Sequence, residues 1–280
     1  MKALVVGAGG MLGTELVREF SRHCEVFGLD LPSLDITDAD QCRRAVRELR
    51  PEVIVNAAAM TDVDYCEGHR DEAFRINGQG AANLAQAAVP DRLLVHYSTD
   101  YVFDGRKPEA YTEEDTPNPL SVYGQSKLKG EELVQTECAN HLILRTAWLF
   151  GPAGRNFIRT IVTAARGGQK LRVVEDQRGN PTYARDLARC TWQLLSSGAR
   201  GIYHTTNAGT CSWYELAVRS LKWAGIPGVS VAPVSTAEFP RPAPRPANSA
   251  LANNRLERTG LRPMRPWAEA VEEYIVEYLT

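Results

Sequence analysis

Cysteine is sparse: six in 280 residues, at Cys24, Cys42, Cys66, Cys138, Cys190 and Cys211, with no C-x-x-C pair. That spacing argues against a zinc site or a disulfide framework and suits reduced thiols in or near a core, as expected of a cytoplasmic protein. The five histidines, His23, His69, His96, His141 and His204, are equally scattered, so no metal cage is assigned. Long hydrophobic runs are missing too. The apolar opening Met1-Lys2-Ala3-Leu4-Val5-Val6 ends at Gly7, too short for a signal peptide or a membrane span. Neither sign of charge dominates, with 32 Lys and Arg against 34 Asp and Glu and a formal net charge of -2, so nothing favours a nucleic-acid or lipid surface. What is present, 44% hydrophobic and 24% charged residues, is enough to bury a sizeable core.

Short β-rich apolar runs alternate with helical periodicity. Residues 2–6, 25–29, 53–56, 92–98 and 141–147 read as strands; 12–21, 40–49, 72–88 and 123–138 read as helices. Such alternation predicts an α/β fold, a doubly wound parallel sheet covered by helices on both faces. A Rossmann dinucleotide-binding domain is expected over 1–150 and a smaller substrate-binding lobe over 151–280, with segments near 185–205 able to return to the first. In the second half, helices are expected near 156–165, 185–195 and 267–278, and strands at 171–174 and 201–205. Ser212-Trp213-Tyr214-Glu215 fits a capping box opening a helix to about Ala224. The stretch from Pro227 to Pro246 holds six prolines and resists regular structure; with Arg241, Arg245 and Asn248 in or just after it, an ordered loop over a ligand cleft is expected.

Gly7-Ala8-Gly9-Gly10-Met11-Leu12-Gly13 sets glycines at Gly7, Gly10 and Gly13 directly after the first strand and at the opening of a helix. They serve a tight turn, close backbone approach to a pyrophosphate, and packing of helix on strand. Asp30 closes the second strand at the distance expected of the acid that holds a ribose 2′-hydroxyl, and it would repel a 2′-phosphate. NADH is therefore the expected cofactor and NADPH remains admissible, Arg22 being able to approach. Ala57, Ala58 and Ala59, after Asn56, offer small residues where the nicotinamide half would lie.

Tyr123 and Lys127 stand at i, i+4 near the start of a helix, so both side chains share one face. The neighbouring ammonium is expected to lower the phenol's proton affinity and make the pair an acid/base unit. Tyr97-Ser98-Thr99-Asp100-Tyr101 ends the fourth strand, at the sheet edge that borders a ligand crevice, where Thr99 could meet Tyr123 over one carbonyl. Thr99, Tyr123 and Lys127 are the catalytic candidates.

In this order, these pieces resemble the extended short-chain dehydrogenases. Val55-Asn56-Ala57-Ala58-Ala59-Met60-Thr61-Asp62-Val63-Asp64, His96-Tyr97-Ser98-Thr99-Asp100-Tyr101-Val102-Phe103, Tyr123-Gly124-Gln125-Ser126-Lys127, Asp176-Gln177-Arg178-Gly179-Asn180-Pro181-Thr182 and Arg245-Pro246-Ala247-Asn248-Ser249 are similar to strings of the dTDP-4-dehydrorhamnose reductases, across essentially the whole chain. The resemblance implies reduction of the C4 ketone of a dTDP-linked 4-keto-6-deoxysugar, dTDP-6-deoxy-L-lyxo-4-hexulose, to dTDP-L-rhamnose for surface polysaccharide. It also implies cofactor contacts from Gly10, Met11, Leu12, Asp30, Asp35, Ile36, Ala59, Met60, Thr61 and Tyr97, and substrate contacts from Thr99, Asp100, Tyr123 and Trp148, with Arg245 added from the last string. Some members pair through a magnesium ion held by acids. Glu15 could serve, but Arg185 stands where another acid would align and its charge would repel the metal, which argues against Mg2+ and leaves monomer or homodimer open.

Two neighbouring classes share the glycines and the Tyr-Lys pair. Sugar-nucleotide 4,6-dehydratases need an extra acid after Thr-Asp, and here Tyr101 follows. The 4-epimerases retain their cofactor through a reversible cycle, which no residue here excludes. A non-catalytic chain resembling the regulatory subunit of methionine adenosyltransferase fits poorly with an intact Thr99, Tyr123 and Lys127.

Overall fold

The computed structural model describes residues 1–226 and 228–280. Its first half alternates as expected: β1 (Lys2–Val6), α1 (Met11–Phe20), β2 (Glu25–Leu29), α2 (Ala39–Leu49) and β3 (Val53–Asn56). After α3 (Val63–Gly68), α4 (Arg70–Ala73) and α5 (Ala81–Ala88) come β4 (Leu93–Thr99), α6 (Val122–Glu137) and β5 (His141–Thr146). The second half runs β6 (Leu149–Phe150), α7 (Phe157–Arg166), β7 (Leu171–Val174), β8 (Arg178–Gly179), β9 (Thr182–Tyr183), α8 (Ala184–Ser196) and β10 (Gly201–His204). It closes with β11 (Cys211–Ser212), α9 (Trp213–Trp223), β12 (Val231–Val234), α10 (Asn254–Arg258) and α11 (Trp267–Tyr278).

Six parallel strands form the central sheet in the order β10-β5-β4-β3-β1-β2. Chain order reverses between β1 and β3, and a ligand crevice opens at such a switch point, outside the strands' carboxyl ends. Both faces are covered, so the central strands β1 and β3 are almost wholly apolar and the buried residues of the sheet divide by parity. Ala3, Val5, Val53, Val55 and Val95 pack under α1 and α8, through Leu12, Leu16, Phe20, Leu187 and Leu194. Leu4, Val6, Ile54, Leu94 and Ile143 pack on the other face with Val46, Leu84 and Val134. Thus α8 and β10, far along the chain, belong physically to the first half. The smaller lobe has its own core, with Phe150, Ile158, Tyr183, Leu216, Val271 and Tyr274 at its centre.

Two stretches differ from the sequence reading. The single helix expected over 72–88 is interrupted by a π-helical turn at Phe74–Gly80, because Asn77 is drawn inward. Its amide donates to Met60 O at 3.0 Å and Ser126 Oγ at 2.9 Å, and its carbonyl accepts Met60 N–H at 2.8 Å. In the proline-rich stretch, Pro227 lies outside the described residues, but Val231–Val234 pairs in parallel with Leu171–Val174. Pro233 is tolerated because the ribbon has only two strands, so its missing N–H can face outward. The Ser212–Glu215 capping box is present as expected.

The six cysteines are unpaired, five of them buried. Among the described residues no helix is long and apolar enough to cross a membrane.

Candidate active site

A cavity of about 430 Å³ opens at the switch point. Its cofactor end begins at Gly7, whose φ of +78° turns the chain out of β1, and continues to Gly10, which caps α1 without a side chain. A methyl group on Gly13 would lie 2.0 Å from Gly7 O and 2.8 Å from Ala8 Cα, both backbone, so only glycine lets the helix seat this close. The result is a helix N-terminus whose N–H groups face the cleft, a cradle for phosphate. Gly10, Met11 and Leu12 line the cavity, as do Ala57, Ala58, Ala59 and Thr61 across from them. Gly7 and Gly13 shape the loop from behind. Asp30 reaches the loop, its Oδ2 accepting Gly9 N–H at 2.9 Å and Oδ1 accepting Leu31 N–H at 2.9 Å.

Gly7, Gly13 and Asp30 stand outside the cavity wall itself, and so do three more of the residues expected at the cofactor. Asp35 turns back to Thr37, accepting its N–H and hydroxyl at 2.8 Å. Ile36 is buried in the core under Gly80. Met60 is held by Asn77 through its backbone.

The catalytic candidates converge. Ser121 caps α6 by accepting Gly124 N–H at 3.2 Å, and a methyl group on Gly124 would strike Tyr101 O at 2.1 Å; the helix start is pressed against the end of β4. That contact brings Tyr123 and Lys127 to the cavity wall beside Tyr97, Thr99 and Asp100. Lys127, 3% exposed, donates from Nζ to Tyr97 O at 2.6 Å. Burial pulls its ammonium down to about 8, against the opposing charge of Glu131. Tyr97 contributes its backbone here, since its own hydroxyl is engaged with Thr191 at 2.7 Å.

Thr99 donates to Asp100 Oδ1 at 2.9 Å and accepts Tyr101 N–H at 3.2 Å. Burial pushes Asp100 up to about 6, against hydrogen bonds from Ser249 and Thr99. For Tyr123 the sequence expectation is reversed: burial raises the phenol well above its ordinary value, the neighbouring Thr99 hydroxyl offsets this in part, and Asp100 adds to the rise. Lys127 spends its shortest contact on Tyr97 O, so desolvation wins. The phenol therefore holds its proton at neutral pH.

Comparison with known proteins bears on this geometry. The RmlD substrate binding domain model matches residues 1–280. The chain belongs to that family. It is 42% identical to a probable dTDP-4,6-dihydroxy-2-methyloxan-3-one 4-ketoreductase of Streptomyces antibioticus, over 100% of this chain and 96% of the relative. A dTDP-4-dehydrorhamnose reductase structure from Clostridium acetobutylicum superposes with a TM-score of 0.97 at 42% identity, covering 100% of both chains. A Bacillus anthracis dTDP-4-dehydrorhamnose reductase in complex with NADP gives 0.96 at 39% identity, covering 99% of each.

At the end of this RmlD-family cleft away from the glycine loop, Trp148 lines the cavity with a backbone φ of +44°, a strained value for a bulky residue. Its indole stacks on Trp213 with centroids 3.6 Å apart and planes at 7°. Trp213 and Arg155 also line the cavity. Neither was singled out as a site residue, because the stack joins distant parts of the chain and no local spacing announces it; the aromatic just inside the capping box was the available signal. Arg245 does not line the cavity. Its Nη1 lies 2.5 Å from Asp64 Oδ1 and donates to Ala243 O at 2.6 Å. Arg185 sits among acids, with Nη1 2.7 Å from Glu277 and 3.0 Å from Glu273, and Nε 3.7 Å from Glu15.

Proposed function

We propose that this chain reduces the C4 ketone of dTDP-6-deoxy-L-lyxo-4-hexulose to dTDP-L-rhamnose with a nicotinamide dinucleotide, in deoxysugar and surface polysaccharide biosynthesis. The observation that carries the reading is the meeting of Thr99, Tyr123 and Lys127 at one cavity whose far end is the glycine loop. The loop fits a dinucleotide: where a side chain at Gly13 would strike backbone, its absence leaves a helix N-terminus open to a pyrophosphate. Gly10, Met11 and Leu12 would hold the phosphates, Ala57 to Thr61 the nicotinamide half, and Asp30 the adenosine ribose. When bound, the nicotinamide supplies the hydride.

The chain's own residues supply the rest. Tyr123, protonated at neutral pH, donates its phenolic proton to the carbonyl oxygen, and the Thr99 hydroxyl, rotating from Asp100, gives that oxygen a second hydrogen bond. Lys127 remains largely ammonium below about 8, steadying the negative charge left on the phenol. Asp100 and the Trp148–Trp213 wall orient the sugar so that the ketone reaches both hydroxyls.

Asp30 disfavours a 2′-phosphate, so NADH is the better cofactor and NADPH is accepted more weakly. Mg2+ has no part in this reading, since the Arg185 guanidinium already stands among Glu273, Glu277 and Glu15, where its charge would repel a cation. Monomer and homodimer both suit the site, the cytoplasm suits the cofactor, and the partner is a dTDP-linked 4-keto-6-deoxysugar rather than nucleic acid or membrane.

The test is a product-identified assay with a panel of nucleotide-linked 4-keto-6-deoxysugars. NADH absorbance should fall fastest with the dTDP-linked L-lyxo-4-hexulose, giving dTDP-L-rhamnose. A different preferred sugar would reassign the substrate, and no turnover with any of them would remove the reductase reading.

A further inference from the structure

The segment from Pro240 to Asn248 leaves the smaller lobe and is fastened to the other half of the molecule at two points. At one, Asp64 in the first turn of α3 accepts from Arg241 Nε at 2.9 Å, Arg241 Nη2 at 2.6 Å, Arg245 Nη1 at 2.5 Å and Ala243 N at 3.2 Å. At the other, Asn248 Nδ2 donates to the carbonyls of Lys107, Pro108 and Glu109 at 2.8, 3.2 and 3.0 Å. One carboxylate thus gathers four donors from one strap, across the two lobes. Solvent reaches only 18% of the Asp64 side chain and 14% of that of Arg245. Lone surface ion pairs contribute little, whereas a shared, shielded and forked pair fixes geometry.

What that geometry fixes is Tyr101. The Arg245 guanidinium stands beside the Tyr101 phenol and opposes the effect of burial on it. Tyr101 lines the cavity, and its ring meets that of Tyr123 edge-on, with centroids 5.7 Å apart and planes at 72°. A continuous line of contacts therefore runs from Asp64 through Arg245 and Tyr101 to the proton donor.

We propose that Asp64 and Arg245 are positioning residues for the reduction: their pairing, held by the 240–248 strap, seats the Tyr101 ring against Tyr123. This rests on the reductase reading above. Asp64 then governs turnover without touching sugar or cofactor.

Asp64→Asn keeps the shape and removes the charge. It should lower kcat for the keto sugar on the order of tenfold while leaving the Kd for NADH unchanged, and Asp64→Glu should recover part of the loss. Tyr101→Phe should lower kcat similarly. The double variant should fall no further than the worse single one, because residues acting through one line are not additive. Arg245→Lys keeps the charge, loses the planar guanidinium that meets both Asp64 and Ala243 O, and should fall between. If Asp64→Asn melts too low to assay, the Arg245→Lys and Tyr101→Phe pair completes the same cycle. Wild-type kcat in Asp64→Asn, or losses that simply add, would overturn the inference while the wild-type chain still reduces the sugar. A wild-type chain inactive on every keto sugar would instead remove the reductase reading, and this inference with it.

Discussion

The two ends of the cleft are built from different material. At the cofactor end the wall is mostly backbone: a glycine turn, a bare helix N-terminus and three alanines, drawn from two short local runs at the ends of β1 and β3. At the end proposed for the sugar it is side chains brought from far apart, with Trp148 stacked on Trp213 and Arg155 beside them. Backbone walls suit a ligand whose phosphates are met by N–H groups; side-chain walls can be exchanged one residue at a time, which is how one scaffold serves several sugars.

The contrast can be broken most sharply at the seam between the ends. Tyr123→Phe should cut turnover on the order of 10²-fold or more while NADH and sugar still bind, measured by steady-state kinetics beside binding titrations. A loss confined to binding would place Tyr123 on one side rather than at the chemistry. Next in size, Gly13→Ala forces a methyl group into backbone and should lower stability by about 1–3 kcal/mol. Cofactor affinity should fall with it, on the order of tenfold, which thermal melts and NADH titration would reveal.

Asp100 sharpens the sugar side through pH. Its carboxyl is pushed up to about 6 from an ordinary 3.8, so the native state holds a proton that the unfolded chain releases, and stability falls as pH rises from about 4 to about 6. The linked loss is on the order of 2–3 kcal/mol. Asp100→Asn should therefore melt higher than wild type at pH 7, the gap closing by pH 4; a constant gap would mean that Asp100 is ionised throughout. The smallest effect is expected of Trp213→Ala, a several-fold rise in KM for the keto sugar with the Kd for NADH unmoved.

The same contrast explains what could be read in advance. The glycine loop, the Tyr123–Lys127 spacing and the end of β4 were legible because each is a short-range pattern with one mechanical use. Six parallel strands followed from alternation, and their bounds agree with the reading to within about a residue or two at each end. The π-helical turn was not legible, since only the three-dimensional position of Met60 tells Asn77 to turn inward. Nor was the partner of Arg245, because Asp64 lies 181 residues away and nothing local to either announces the pair. Lys127 misled for a related reason: one-turn spacing shows that two side chains share a face, while Tyr97 O decides where the ammonium goes.

The return of α8 and β10 to the first sheet has a consequence for anyone dividing this molecule. A fragment stopped at residue 150 would strip α8 from α1, baring Leu12, Leu16 and Phe20, and leave β5 as an unprotected edge. The remainder would carry Leu187 and Leu194 outward with nothing to lie against. Neither piece is a transplantable cassette, so swapping sugar specificity between relatives calls for replacing wall residues in place rather than grafting half a gene.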